Sequence, residues 1–131
     1  MSGAGRQPGA VRGLHHVSLV VSDLSRAAAV YGGLLGLEAL ERPDLGFPGL
    51  WYDLCGGQAL HLLQVPNPDP IERGVRGGRD RHLALMVEGL DATVARLEAA
   101  GIQVERSRSG RAAVFFRDPD GNTIELVDTT G

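Results

Sequence analysis

The hydrophobic residues of the chain fall in short runs that predict strands, separated by Gly and Pro. In the first part of the chain, the run LHHVSLVV that starts at Leu14 predicts a strand. The segment RAAAVYGGLLG follows capping residues at 22–25 and predicts a helix that ends near Gly36. Three more strands are predicted at 38–44, 49–54 and 58–65. The order of these elements is βαβββ.

The second part of the chain repeats this order. A strand predicted at 81–87 precedes an amphipathic helix at 88–101, which Gly101 ends. Three more strands are predicted at 102–107, 112–118 and 122–128. The segment 66–80 between the two parts is rich in Pro, Gly and charge, as linkers are. We therefore predict an α+β fold in which residues 14–131 form a single domain of two tandem βαβββ modules, 14–65 and 81–128.

The sequences of the two modules can be aligned on their His and Glu residues. Placing His16 on His82 needs a shift of 82 − 16 = 66, and it aligns HVSLVVSDL with HLALMVEGL. Placing His61 on Glu125 needs a shift of 125 − 61 = 64, and it aligns GGQALHLLQ with DGNTIELVD. The shifts differ by two residues, which a small deletion explains. The repeat predicts that each His or Glu in one module has a structural equivalent in the other.

Length, composition and charge limit the classes of protein that the chain can belong to. A chain of 131 residues has the size of one domain, and residues 1–13 show no periodic apolar pattern, so we predict a disordered tail there. No apolar run approaches the roughly 18 residues of a membrane span. The net charge of −3 argues against a nucleic-acid partner. We expect no membrane and no nucleic-acid partner.

The cysteine content and the N-terminus predict a cytoplasmic location. A single cysteine, Cys55, cannot form an internal disulfide, and the first residues lack the apolar core of a signal peptide. We expect Cys55 to be a small buried hydrophobic residue.

The four ligand-type residues predict a metal site. Each of them lies in an otherwise apolar strand, where an unpaired polar group costs a few kcal/mol. A divalent cation would satisfy all of them at once, because neutral imidazole and carboxylate are ligands for Zn, Ni, Co, Mn or Fe. Taken singly, a His in a strand is more often a hydrogen-bonded structural residue, and the repeat is what favours a metal. The predicted ligands are His16, His61, His82 and Glu125. His15 must face the other side of its strand from His16.

The chain resembles the vicinal oxygen chelate superfamily, which includes glyoxalase I, epimerases, extradiol dioxygenases, fosfomycin-resistance transferases and bleomycin-resistance proteins. The resemblance spans 14–128 and is carried by LHHVSLVVSDLSRAAAVYGGLLGLE, GGRDRHLALMVEGLDA and FFRDPDGNTIELVD. It implies that the modules build an open, cup-shaped mixed sheet of eight strands, commonly in a homodimer. It also implies that His16, His61, His82 and Glu125 hold the metal. Whether the two pairs of ligands meet within one chain or across two is left open.

The resemblance implies three alternative functions. The first is a metal-dependent lyase or isomerase like glyoxalase I, which chelates a substrate through vicinal oxygens and stabilises an enediolate. Glu125 and His61 would be its catalytic residues, although glyoxalase I usually has Glu where this chain has His61. The second is an Fe(II) dioxygenase of the extradiol type that uses His16, His82 and Glu125. The third is a non-enzymatic antibiotic-binding protein.

The substrate is expected to be a small molecule with an anionic group. Arginines near the module starts and before FFRD would bind such a group, although a solvated surface role is more common for each of them. Aromatic residues at equivalent positions of the two modules could line the site, although most aromatic residues in strands belong to the core. Ser18 lies where fosfomycin transferases have Thr. The predicted substrate-binding residues are Ser18, Trp51, Arg79, Arg111 and Phe116.

Overall fold

The computed structural model describes residues 7–74 and 77–129, and it contains both βαβββ modules. The strands of the first module are β1 (His16–Val20), β2 (Glu38–Leu40), β3 (Gly49–Asp53) and β4 (Ala59–Leu63). Its helix α1 (Leu24–Ala28) continues into a π-helical segment (Ala29–Leu34). The second module contains β5 (His82–Val87), α2 (Leu90–Ala99), β6 (Glu105–Arg106), β7 (Ala113–Arg117) and β8 (Thr123–Asp128). The predicted α+β class is confirmed.

The eight strands divide into two four-stranded mixed sheets that have the same order. The first sheet has the order β1-β4-β3-β2, and the second has the order β5-β8-β7-β6. In the first sheet β1 runs parallel to β4, with Ser18 opposite His61. In the second sheet β5 runs parallel to β8, with Ala84 opposite Glu125. The sequence repeat is therefore also a repeat of strand register.

All of the predicted strands are shorter in the structure, and two of them are shorter by four residues each. The strand predicted at 38–44 ends at Leu40, before Pro43, which has no N–H to donate to a neighbouring strand. The strand predicted at 102–107 is reduced to β6, and Ile102 and Val104 before it pack against the hydrophobic core. Residues 1–6 of the predicted tail lie outside the described part of the chain, and residues 7–13 form no helix or strand. Within the described residues, no helix has the length and apolar character that a membrane span requires.

The first helix begins and ends where the sequence predicts, but it changes type in between. Asp23 caps its N-terminus by accepting a hydrogen bond from the Arg26 amide, and Gly36 follows its end with a φ of 72°. The segment Ala29–Leu34 is π-helical, which the sequence pattern did not predict. Gly32 in this segment lies against the ring of Tyr52, where a Cβ would be 3.3 Å from the Tyr52 hydroxyl. The glycine therefore permits a close approach between the helix and β3.

Both modules contribute to one hydrophobic core, which lies on one face of each sheet. Alternate residues of β4 and β8, such as Leu60, Leu62 and Leu126, are almost fully buried in this core. His61 and Glu125 lie between such residues in their strands, so they belong to the opposite face of each sheet. The sheet faces that carry the predicted ligands are therefore directed away from the shared core. Cys55 is exposed, so its predicted burial is wrong.

Polar contacts that are buried or partly buried join the two modules. Asp120 accepts a hydrogen bond from the Ser22 amide at 3.0 Å, and the Asn122 side chain donates to the Val20 carbonyl at 3.0 Å. The Tyr31 hydroxyl donates to Asp118 Oδ2 at 2.6 Å. Burial raises the pKa of Tyr31 well above its usual value, and the nearby charge of Asp118 raises it further. The neutral phenol is therefore the form that the folded protein accommodates.

We expect the stability of the protein to fall above about pH 10, because unfolded Tyr31 ionises there and folded Tyr31 does not. The raised folded pKa gives a contribution that is complete below the unfolded pKa and decreases as pH rises above it. The slope is about 1.4 kcal/mol per pH unit for one such group. The chain contains no lysine, so few other groups titrate in this range. Urea unfolding of wild type and Tyr31→Phe, measured between about pH 9 and about pH 11, would reveal the difference.

Tyr31→Phe is expected to be less stable at neutral pH by about 1–3 kcal/mol, because buried Asp118 loses one hydrogen-bond donor. Its stability should then depend less steeply on alkaline pH than that of wild type. Tyr52→Phe is the matched control for the loss at neutral pH, since burial also raises the pKa of Tyr52, but Asp118 is not among the causes. Parallel alkaline losses in wild type and Tyr31→Phe would contradict the assignment to Tyr31.

Candidate metal centre

His82 and Glu125 form a pair on the second sheet. The Glu125 side chain is only 3% exposed, although it lies on the face directed away from the core. His82 Nε2 is 3.1 Å from Glu125 Oε1, and Arg111 donates from Nη2 to Oε2 at 3.1 Å. The ring of Phe115 meets the His82 ring edge-to-face at 5.2 Å. This carboxylate is buried beside an imidazole and a guanidinium.

The hydrogen bonds of His82 require a proton or a metal cation between its ring and Glu125. His82 Nδ1 is 2.9 Å from the Asp80 carbonyl oxygen, which can only accept, so Nδ1 carries a proton in this contact. In a neutral imidazole Nε2 then has a lone pair, and this lone pair faces a carboxylate oxygen. Two electron-rich atoms are stable at this separation only with a proton or a metal cation between them. An outer N–H bonded to a backbone carbonyl is also typical of metal-binding His. These donors therefore fit a divalent metal.

His61 and His16 form the corresponding pair on the first sheet. The His61 ring is stacked between the rings of Trp51 at 4.2 Å and His16 at 4.1 Å between centroids. Burial lowers the pKa of His61, and the nearby charges of His16 and His15 lower it further. His61 is therefore held in the neutral form, which is the form that binds a metal. His16 Nδ1 is 2.9 Å from His15 Nδ1.

The two pairs do not come together within one chain. Among residues 7–74 and 77–129, no group of three or more His, Cys, Asp or Glu side chains is close enough to hold a metal ion. His16 and His61 lie on the first sheet, whereas His82 and Glu125 lie on the second. One chain thus carries two half-sites, a term used here for the pairs His16–His61 and His82–Glu125. The assignment of all four residues to one metal stays a prediction.

A cavity of about 360 Å³ opens beside His82 and Glu125. The predicted substrate residues Arg79 and Arg111 both line it, together with Arg106 and Arg108. Two carboxylates, Glu105 and Glu125, line it as well, so the arginines outnumber the acidic residues there. Hydrogen bonds from Arg117 and Arg73 hold the pKa of nearby Asp80 well below the usual value. The cavity wall is therefore rich in positive charge, while the chain as a whole carries −3.

The remaining predicted substrate residues lie in different surroundings. Ser18 and Trp51 lie on the same face of the first sheet as His61, because each is opposite His61 in its strand pairing. Phe116 is 2% exposed and belongs to the hydrophobic core, so its predicted substrate contact is not supported. The adjacent Phe115 lies beside His82 instead. The sequence did contain the signal, because 115 − 51 = 64 is the shift that places His61 on Glu125.

Comparison with known proteins identifies relatives along most of the chain. Residues 13–126 match the Glyoxalase/Bleomycin resistance protein/Dioxygenase superfamily. The chain is 30% identical to "Glyoxylase I 4" of Arabidopsis thaliana over 88% of this chain and 70% of that protein. It is 28% identical to a glyoxalase/dioxygenase structure from Nostoc punctiforme, with a TM-score of 0.73 and coverage of 93% and 94%.

Other relatives show the range of functions in this family. The chain is 28% identical to TnmS3, an antibiotic binding protein from Streptomyces sp. CB03234, over 91% of this chain and 97% of that one, with a TM-score of 0.69. The superfamily includes glyoxalase I, fosfomycin-resistance metalloenzymes and antibiotic-binding proteins. The matched residues and the paired modules lead to one conclusion: the chain belongs to the Glyoxalase/Bleomycin resistance protein/Dioxygenase superfamily.

Proposed function

We propose that the protein is a metal-dependent lyase or isomerase resembling glyoxalase I, which acts as a homodimer. In this proposal the His16–His61 half-site of one chain joins the His82–Glu125 half-site of another. The observation that supports it is the separation of two ligand-type pairs at equivalent registers of two sheets. Each pair supplies only half of the ligands that a metal needs, and a second copy of the chain supplies the other half.

The free strand edges and an exposed apolar side chain support a dimer. In the described part of the chain, β1 and β5 each pair with only one strand, so one edge of each is available to a partner. Met86 of β5 lies on the same face as His82 and is 80% exposed. A second copy that covered this edge would bury Met86 and bring two half-sites together. The eight strands around each site would then form the predicted cup.

The ligand set defines the chemistry of the proposed site. A divalent cation bound by His16, His61, His82 and Glu125 would act as a Lewis acid towards two neighbouring oxygens of the substrate. The Glu125 carboxylate, which lies beside His82, would accept a proton from a substrate carbon and return it. His61 is held neutral and can act as a ligand or as a second proton acceptor.

The arginines beside Glu125 support an anionic small-molecule substrate. Arg79 and Arg108 form no ion pair with any described residue, so both guanidinium groups are available to a ligand. Arg111 is already bonded to Glu125, and its side chain is 61% exposed. We propose that Arg79 and Arg111 bind the anionic group, while Ser18 and Trp51 contact the substrate from the other half-site.

The proposal predicts that the purified protein holds about one divalent metal ion per chain. His82→Ala and Glu125→Ala should each lose most of this metal, because each removes one ligand. Elemental analysis of protein purified without added metal measures the content, and Glu98→Ala, an exposed carboxylate on α2, is the matched control. Nickel, cobalt, zinc or manganese would favour lyase or isomerase chemistry, whereas iron would favour the dioxygenase. A wild-type chain that stays empty after incubation with each metal would disprove the proposal.

A non-enzymatic antibiotic-binding function is the second candidate, and the aromatic face of the first sheet favours it. Trp51 is stacked on His61, and Leu40 lies opposite Trp51 on the same face with 40% exposure. This surface could bind a flat aromatic ligand without a metal. The similarity to TnmS3 is consistent with such a role. Metal analysis separates the two candidates, since this one requires no ion.

A further inference from the structure

A chain of hydrogen bonds leads from β7 through the linker to His82. We propose that Arg117 and Asp80 form a positioning relay that directs His82 Nε2, rather than Nδ1, towards Glu125. The inference goes beyond the proposed function because it assigns roles to residues outside the ligand set. It rests on that function only in taking Nε2 as the metal-binding atom.

Arg117 ties the linker to the second sheet. Its Nη1 donates to Asp80 Oδ2 at 2.9 Å, to Thr123 Oγ1 at 2.6 Å and to the Gly121 carbonyl at 2.9 Å. Its Nη2 donates to the carbonyls of Arg73 at 3.3 Å and Gly74 at 3.1 Å. A planar guanidinium with this many acceptors has little freedom to rotate. Arg117 therefore holds the end of the linker against the start of β8.

Hydrogen bonds of the Asp80 side chain and amide fix the backbone of this residue. Its Oδ2 accepts from Arg73 Nε at 2.8 Å as well as from Arg117, and its Oδ1 accepts from the Arg81 amide at 2.9 Å. Its amide donates to the Gly77 carbonyl at 3.1 Å. The residue is fixed by its side chain and by its amide, so the direction of its carbonyl is fixed too. That carbonyl is the acceptor for His82 Nδ1 at 2.9 Å.

These contacts determine which ring nitrogen of neutral His82 carries the proton. The Asp80 carbonyl favours the proton on Nδ1, whereas the Glu125 carboxylate favours it on Nε2. Only the Nδ1–H form leaves an Nε2 lone pair for a metal. An Asp80 carbonyl with a fixed direction disfavours the competing tautomer, in which Nε2–H donates to Glu125 and Nε2 has no lone pair for a metal. A mobile carbonyl would lose this effect.

The relay can be tested on metal-free protein by nitrogen NMR of labelled histidine, which distinguishes Nδ1–H from Nε2–H. We would record spectra at about pH 8, where imidazole is mainly neutral, in a Glu125→Ala background that removes the competing acceptor. A further His82→Ala change identifies the His82 signals. We expect the Nδ1–H form in this background and a shift towards Nε2–H after Arg117→Ala or Asp80→Ala. Two separate variants keep the test valid if one of them fails to fold.

The matched control is Arg96→Ala. Arg96 also donates to a backbone carbonyl, that of Leu34, and to Thr93, but it is remote from the relay. It should leave the His82 signals unchanged even if stability falls. In chains that keep Glu125, zinc should bind about 10-fold or more weakly after Arg117→Ala, but not after Arg96→Ala.

The two proposals can fail separately. An unchanged His82 tautomer in both Arg117→Ala and Asp80→Ala would overturn the relay, whatever the metal content of wild type. A changed tautomer in a protein that binds no metal would support the relay and refute the metal-dependent function.

Discussion

Mixing His61→Ala chains with Glu125→Ala chains is expected to restore a metal site that neither variant forms alone. If the site spans two chains, a mixed dimer contains one site with both defects and one with neither. The intact site combines the His16–His61 half-site of the Glu125→Ala chain with the His82–Glu125 half-site of the His61→Ala chain. Random pairing of equal amounts would restore metal binding to about one quarter of the wild-type level. Metal content after joint refolding from urea measures this.

The structure also supplies a control for this experiment. His82→Ala and Glu125→Ala alter the same half-site, so every dimer formed from these two variants has a defect in both of its sites. Mixing them should restore nothing. If the site lay within one chain, the mixture of His61→Ala and Glu125→Ala chains would also regain no metal. Restoration in the first mixture alone would therefore locate the site between chains, whereas failure in both would refute the proposed dimer.

The sequence predicted the two modules because the hydrophobic pattern and the turn residues are local signals. His61 and Glu125 occupy the same register in their sheets, as the repeat indicated. What the repeat could not decide is which sheets meet at a site, because strand register is set within a module and sheet association is set by surfaces. For the same reason, the separation of His16 and His61 from His82 and Glu125 required the structure.

Other features depended on contacts between distant parts of the chain. Alternation in a strand predicts that Phe115 and Phe116 face opposite sides, but not which one faces the core. Comparison of Phe115 with Trp51 through the repeat would have given the correct choice. Asp80 and Arg117 are 37 residues apart in sequence, and no local pattern relates them. The π-helical segment also has no sequence signal of its own, because Gly32 within it is explained only by the position of Tyr52.

Gly121→Ala is expected to be the most destabilising single substitution proposed for the fold. Gly121 ends the turn that begins at Asp118 and has a φ of 82°, a conformation that costs a residue with a side chain about 1–2 kcal/mol. A Cβ at this position would also overlap the backbone carbonyl of Ile71 in the linker. Moving the linker to relieve this overlap costs a further 1–3 kcal/mol, roughly. It would also disturb Arg117, which donates to the Gly121 carbonyl.

Gly57→Ala is the matched control, because Gly57 is the equivalent of Gly121 in the first module. It has nearly the same φ, 81°, but nothing lies within 4 Å of where its Cβ would be. Both variants place a side chain in the same unfavourable backbone conformation, so the difference between their unfolding free energies isolates the overlap with Ile71. Urea unfolding should show Gly121→Ala to be less stable than Gly57→Ala by about 1–3 kcal/mol. Equal losses would mean that the linker is not packed against this turn in solution, and the contacts that fix Asp80 would then lose part of their support.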